Sequence, residues 1–152
     1  MNVREAIRMS PQELAAFLAQ ERTVVCGTVG RGGVPHLMPL WYVVRDGELW
    51  AWTYAASQKV RNLERDPRAT LLVEAGEVYE ELRGVMLTAE TVIERDGAAV
   101  AALGLELYTR YHEALSDEVR SMIEHQAPKR VALRFVERSR TSWDHRKLTA
   151  AG

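Results

Sequence analysis

A single cysteine, no long apolar run and a formal charge of only −1 exclude several classes of protein at the outset. Lone Cys26 permits no internal disulfide, and in Thr23-Val24-Val25-Cys26-Gly27-Thr28 it reads as a small apolar strand residue. The near balance of charge gives no general attraction to nucleic acid or to an anionic membrane, so any anion site must be a local cluster. The longest nearly apolar run, Ala98 to Leu105, is far short of a membrane span. The N-terminus lacks the apolar core of a signal peptide, and the expectation is a cytoplasmic protein with no membrane and no nucleic-acid partner. Catalytic signatures are missing as well: there is no Gly-x-Ser-x-Gly, Cys-x-x-Cys, His-Glu-x-x-His or Walker loop. Of the four histidines, His112 and His125 fall in a helical region without the i, i+4 spacing of a helical metal pair. His36 and His145 lie on a strand and in the tail, where either could face a ligand.

The chain has 152 residues, 47% of them apolar and 27% charged, which fits one domain over 1–152 with a core that needs no staples. Ser10-Pro11-Gln12-Glu13 is a capping box with proline at the first helical position, opening a helix to about Glu21 with Leu14, Phe17 and Leu18 inward. Strands are expected at Thr23–Val29, Val34–Arg45, Glu48–Tyr54, Ala69–Glu74, Leu82–Glu94 and Lys129–Arg138. Pro35 and Pro39 put the second strand at an edge or a bulge, because proline donates no ladder bond. Asp46-Gly47 is a hairpin signal. Between the fifth and sixth strands lie two helices, one with Val100, Leu103, Leu107 and Tyr111 along one face, the other capped by Ser116 and carrying Val119, Met122 and Ile123. Six short-spaced strands with few inserted helices predict a mainly β fold, a closed or nearly closed six-stranded antiparallel barrel with peripheral helices, with a flat α+β sandwich as the runner-up.

The stretch with the most chemistry is Trp52 to Pro67. Ser57 is a good N-cap whose hydroxyl can accept from the amides of Lys59 or Val60. Lys59 then stands in the first turn, where the positive end of the helix dipole disfavours a cation. Two readings follow from these residues: a capped surface helix with a solvated lysine, or a cradle in which free amides, a hydroxyl and an ammonium hold a phosphate. Four tryptophans, Trp41, Trp50, Trp52 and Trp143, accompany it. Such aromatics serve as core or as dimer interface, but Trp143 lies in a polar tail. A phosphate cradle without acid–base machinery suits a cofactor that brings its own chemistry.

In the order and spacing of its landmarks the chain resembles the pyridoxamine 5'-phosphate oxidase-like flavin-binding split barrels, and within them the flavin/deazaflavin-dependent oxidoreductases. The landmarks are Gly33-Val34-Pro35-His36 with Pro39-Leu40-Trp41-Tyr42-Val43, then Trp52-Thr53, Ser57-Gln58-Lys59-Val60-Arg61-Asn62-Leu63 and Asp66-Pro67-Arg68. Arg83-Gly84-Val85 and Ser142-Trp143-Asp144-His145-Arg146-Lys147-Leu148 complete them. The resemblance implies a homodimer with two cofactor sites at the interface. Thr53, Ser57, Gln58 and Lys59 would hold the cofactor phosphate, Pro39, Leu40, Trp41 and Tyr42 would pass along the ring, and Trp143 would cover the partner's ring. Gln58 stands where pyridoxamine phosphate oxidases often carry arginine, and the basic substrate residues near their C-terminus are not recognisable. The implied activity is hydride transfer from reduced deazaflavin coenzyme F-420 to a small conjugated molecule, with FMN as the other cofactor. The alternative is a carrier or sensor of flavin, haem or another tetrapyrrole, with His36 or His145 as the haem ligand.

Overall fold

The segment around Tyr42 decides the architecture. In a computed structural model, which describes residues 2–150, strand β2 (Pro35–Trp41) and strand β3 (Val43–Arg45) are separated by one residue. The remaining strands are β1 (Thr23–Val29), β4 (Glu48–Tyr54), β5 (Arg68–Ala75), β6 (Arg83–Glu94) and β7 (Arg130–Asp144). They form one antiparallel sheet in the order β2-β1-β5-β6-β7-β4-β3. Strands β2 and β3 therefore occupy opposite edges of the sheet, yet a single residue joins them, and a residue spans at most ~3.5 Å. The sheet must curl until its two edges meet at Tyr42, which makes a barrel.

Seven strands replace the six expected, because the predicted strand Val34–Arg45 breaks at Tyr42. The cause is visible in the hydrogen bonds. The Tyr42 backbone N–H donates to Tyr111 Oη at 3.1 Å, and its carbonyl accepts from Arg110 at 2.6 Å, so neither group enters a ladder. Its side chain is fully buried, and its hydroxyl donates to Leu18 O at 2.6 Å. The prolines sit on the edge strand, as their missing donors require: β2 has β1 as its one ladder partner.

Two apolar clusters hold the sheet. Inside the barrel are Val24, Cys26, Leu49, Ala51, Leu71, Val85, Leu87, Leu133 and Phe135. Helix α2 (Pro11–Gln20) adds Leu14, Phe17 and Leu18, and its capping box is complete, with Ser10 Oγ accepting from Glu13 N at 3.1 Å and Glu13 Oε1 from Ser10 N at 3.0 Å. A short helix α1 (Val3–Ala6) precedes it. Outside, helix α4 (Gly97–Tyr111) lays Val100, Leu103 and Leu107 against Val43 and Ala132, with Trp50 and Trp52 packed alongside. Strand β4 thus turns Leu49, Ala51 and Thr53 inward and its tryptophans toward α4, the alternation its sequence predicts. Helix α5 (Asp117–Gln126) buries only Ile123.

Strand β7 is longer than its expected end at Arg138 and takes in Ser142, Trp143 and Asp144 of the polar tail. Beyond Phe135, the last residue paired with β4, the N-terminal segment runs beside it: Asp144 N donates to Ile7 O at 2.7 Å and Met9 N to Ser142 Oγ at 3.0 Å. A five-residue helix α6 (Arg146–Ala150) follows.

Arg110, near the end of α4, ties these parts together. Its guanidinium donates to Leu18 O, Ala19 O and Glu21 O at 2.9, 3.1 and 2.8 Å, as well as to Tyr42 O, and it lies 4.5 Å over the Tyr42 ring. It caps the open carbonyls of α2 and fixes the corner with one charged group. Arg110→Ala should lower stability by about 2–4 kcal/mol, the scale for losing several hydrogen bonds to a cation, read as a fall in the urea midpoint at unchanged slope.

Candidate functional site

Strand β4 leads through Tyr54 into helix α3 (Gln58–Arg65). Ser57 holds the N-cap backbone position, φ −69° and ψ 155°, but its hydroxyl does not accept from an α3 amide, contrary to the cap expected from sequence. Ser57 Oγ is buried and has no hydrogen-bond partner among the described residues. The first amides of the helix are accordingly not capped by this side chain, and hydroxyl and amides share one end of α3.

Lys59 is only 7% exposed. Its Nζ donates to Thr53 Oγ1 at 2.8 Å, and among the described residues no carboxylate forms an ion pair with it. Burial lowers its pKa from the ordinary lysine value, the nearby Cys26 thiol acts against this, and the charge of Arg130 adds to it. Burial likewise pushes the Cys26 thiol up to about 11, leaving it protonated and unreactive. A buried ammonium without a counter-charge costs stability, so Lys59 is placed against the interest of the fold. Of the two readings, the solvated surface lysine is overturned.

Gln58 and Asn62 play a different part. Gln58 Nε2 donates to Asn62 Oδ1 at 2.8 Å, and Asn62 Nδ2 to Thr28 Oγ1 at 3.0 Å. Asn62 is fully buried, so this chain of bonds docks α3 on β1. The Gln58–Asn62 pair is legible as an i, i+4 couple, but its partner Thr28 is not. His36 lies opposite Thr28 across β1 and β2, and its Nδ1 is buried without a partner. His145 is engaged, with Nδ1 at 2.7 Å from Tyr79 O. No group of three His, Cys, Asp or Glu suited to a metal occurs among the described residues.

Pro39, Leu40 and Trp41 lie along the edge strand. The Trp41 indole stacks on Tyr111 at 4.3 Å and meets Tyr108 and His112 edge-on at 6.1 and 5.9 Å. Sequence reasoning did not connect Trp41 with α4, because the contact spans seventy positions and carries no local signal. Tyr42 has its side chain and both backbone groups hydrogen-bonded within the chain, which shapes the corner.

Trp143 packs against Gly84 of β6, where an added Cβ would come within 2.5 Å of its ring. It shares the outward face of the sheet with Ser139 and Thr141, in cross-strand rows that run Leu37, Gly27, Thr70, Thr88, Ser139 and Pro39, Val25, Leu72, Met86, Thr141. By way of β6, β5 and β1, four strand spacings lie between β7 and β2, about 19 Å along the sheet. At the start of α3 the chain joins Lys59 to Thr53 by a hydrogen bond, with Ser57 two residues before the lysine.

The profile of the pyridoxamine 5'-phosphate oxidase family matches residues 10–143. A crystal structure of a conserved hypothetical protein from Mycobacterium tuberculosis superposes with a TM-score of 0.90 at 42% identity, over 98% of this chain and 93% of that one. An F-420 reductase superposes at 0.68 with 19% identity, over 83% and 94% of the two chains. The haem storage protein of Vibrio cholerae does so at 0.68 with 16% identity, over 91% and 95%. The last two establish likeness of fold alone. None of the curated proteins matches the chain.

Lys59 gives the site a pH signature. Its folded pKa is depressed, so in the window below the unfolded value of about 10.4 the unfolded chain binds more protons and the ligand-free fold gains stability as pH rises. The buried Cys26 thiol, pushed up to about 11, acts in the opposite sense over the same range, so the Lys59 part is read as a difference: in chemical denaturation between pH 8 and 10 the wild type should gain stability relative to Lys59→Met as pH rises, and Lys59→Met should leave the ligand-free fold no less stable at neutral pH.

Proposed function

Since the chain belongs to the pyridoxamine 5'-phosphate oxidase family, we propose that it is an oxidoreductase working through a phosphate-bearing flavin-type cofactor held at the start of α3. The observation that carries this is the pairing of a buried, unpartnered Ser57 Oγ with a buried Lys59 that lacks a counter-charge. A phosphate supplies both missing partners: an acceptor for the hydroxyl and the helix amides, and a negative charge for the ammonium. Thr53 then positions Lys59, and Gln58 adds an amide tied to α3 through Asn62.

Reduced deazaflavin coenzyme F-420 is the favoured cofactor, on the likeness of the Ser57 to Leu63 and Trp143 to His145 segments to that branch, and FMN is the alternative. The deazaflavin supplies a hydride, and FMN supplies a hydride or single electrons. Pro39, Leu40 and Trp41 offer the ring a strand edge with no ladder partner beyond β1 among the described residues. Trp41, held by Tyr111 and Tyr108, presents a fixed aromatic wall beside it for a small conjugated or unsaturated substrate. The chain then acts by placing the two reactants, excluding water and donating hydrogen bonds to charge that develops on the acceptor.

This reading includes a homodimer. The middle of the outward face of β2, β1, β5, β6 and β7 carries Leu37, Pro39, Val25, Gly27, Leu72, Thr70, Met86, Thr88 and Thr141, small or apolar, with the charged Arg68, Glu74 and Glu90 at its margins. Leu37 and Met86 are 63% and 40% exposed on it, the kind of patch an interface covers. A second copy on this face carries its Trp143 toward the Pro39–Trp41 edge of the first. A second reading is a non-catalytic haem or tetrapyrrole carrier, favoured by the unpartnered His36 Nδ1.

Titration with FMN, coenzyme F-420 and haem, followed by fluorescence and absorbance, should show saturable binding of the deazaflavin. Lys59→Ala should weaken it about 5- to 150-fold, the equivalent of 1–3 kcal/mol for a charge-assisted hydrogen bond. Tight FMN binding with no response to the deazaflavin would reassign the cofactor, and a haem spectrum lost in His36→Ala would establish the carrier. Light scattering should give the mass of a dimer.

A further inference from the structure

A second concave site lies away from α3, in the gap that α2 and α4 leave beside the β3–β4 hairpin. Its volume is about 580 Å³, within the range of small-molecule sites. Five elements wall it. Leu14 and Leu18 of α2, Val43 of β3 and Leu87 of β6 form the floor, each less than a tenth exposed. Ala15, Ala19 and Val44 form the exposed lip. No residue of the proposed cofactor site lines this cavity.

The charged groups at its rim are already satisfied. Glu106 pairs with Arg45, Glu137 with Arg140, and Arg110 donates to backbone carbonyls of α2 and the corner. A charged ligand would find no free counter-charge here and would have to break one of these pairs. A ligand without charge gains from the apolar floor at no such cost.

The shape selects between a protein surface and a small molecule. A flat partner face would touch only the lip and leave the floor of Leu14, Leu18, Val43 and Leu87 empty. An inserted molecule reaches it. We propose that this cavity binds an uncharged, largely hydrocarbon molecule of drug size, at a site separate from the cofactor cradle and independent of which cofactor that cradle holds.

The test uses N-phenyl-1-naphthylamine, an uncharged naphthalene probe whose fluorescence rises in apolar surroundings. The purified full chain should take it up saturably at one site per chain. Ala15→Trp places a large ring across the lip without altering the floor, and should weaken probe binding at least tenfold. Ala19→Trp, one helical turn further along the same lip, should do the same. Lys59→Ala should leave probe binding unchanged while affecting the cofactor, which separates failure of this site from failure of the cofactor reading. Probe uptake that does not saturate, or that is unchanged in both tryptophan variants with the far-ultraviolet circular dichroism intact, overturns the proposal.

Discussion

The structure depends on one covalent constraint: two edges of a seven-stranded sheet are joined through a single residue, Tyr42. Everything that holds this residue holds the barrel shut. Its hydroxyl reaches Leu18 O in α2, its amide meets Tyr111 and its carbonyl meets Arg110, both in α4. A corner of this kind removes backbone groups from the ladder, and the low-dielectric interior makes an unsatisfied amide or carbonyl expensive. The two helices that look peripheral in the sequence are thus part of the closure. The inserted segment between β6 and β7 is an integral part of the fold, with Arg110 as the link between the helices and the corner.

The same closed frame makes the candidate site possible. Strand β4 and helix α3 are packed too well to let Lys59 swing out: Val60 and Leu63 on the same helix are buried, and Asn62 is bonded to β1. Lys59 is therefore held in a half-dry position where its charge is disfavoured. The cost is borne by the rest of the core, which is the usual pattern at binding sites. Beside it the uncapped Ser57 repeats the theme on a smaller scale, a hydroxyl placed where a serine ordinarily caps a helix and yet left without a bond.

Much of this was legible in the chain. Capping residues marked the starts of α2 and α5, since caps act within one helical turn. Strands β1 and β4 fall on their predicted bounds because alternation and turn residues are local signals. The break at Tyr42 was not legible, because its cause lies in Arg110 and Tyr111 almost seventy positions away. The length of β7 was hidden for the same reason: its polar end, Ser142 to Asp144, is a strand through pairing with β6 and contact with the N-terminal segment. At the site, sequence singled out Ser57 and Lys59 but gave the serine a capping bond it does not make.

By itself, then, the sequence determined a mainly β barrel with capped helices, an edge strand bearing prolines, and a short segment with a hydroxyl and a cation at a helix start. Those follow from backbone sterics, missing donors and side-chain periodicity, all of which act over a few residues. Only the tertiary structure decided that the second strand is two strands closing one barrel, that Lys59 is buried against Thr53 with no carboxylate paired to it among the described residues, and that Trp143 belongs to a strand and packs on Gly84. These are facts of distance between remote segments. Burial, electrostatic cost and reach depend on what the folded chain brings alongside a residue, and local pattern carries no record of it.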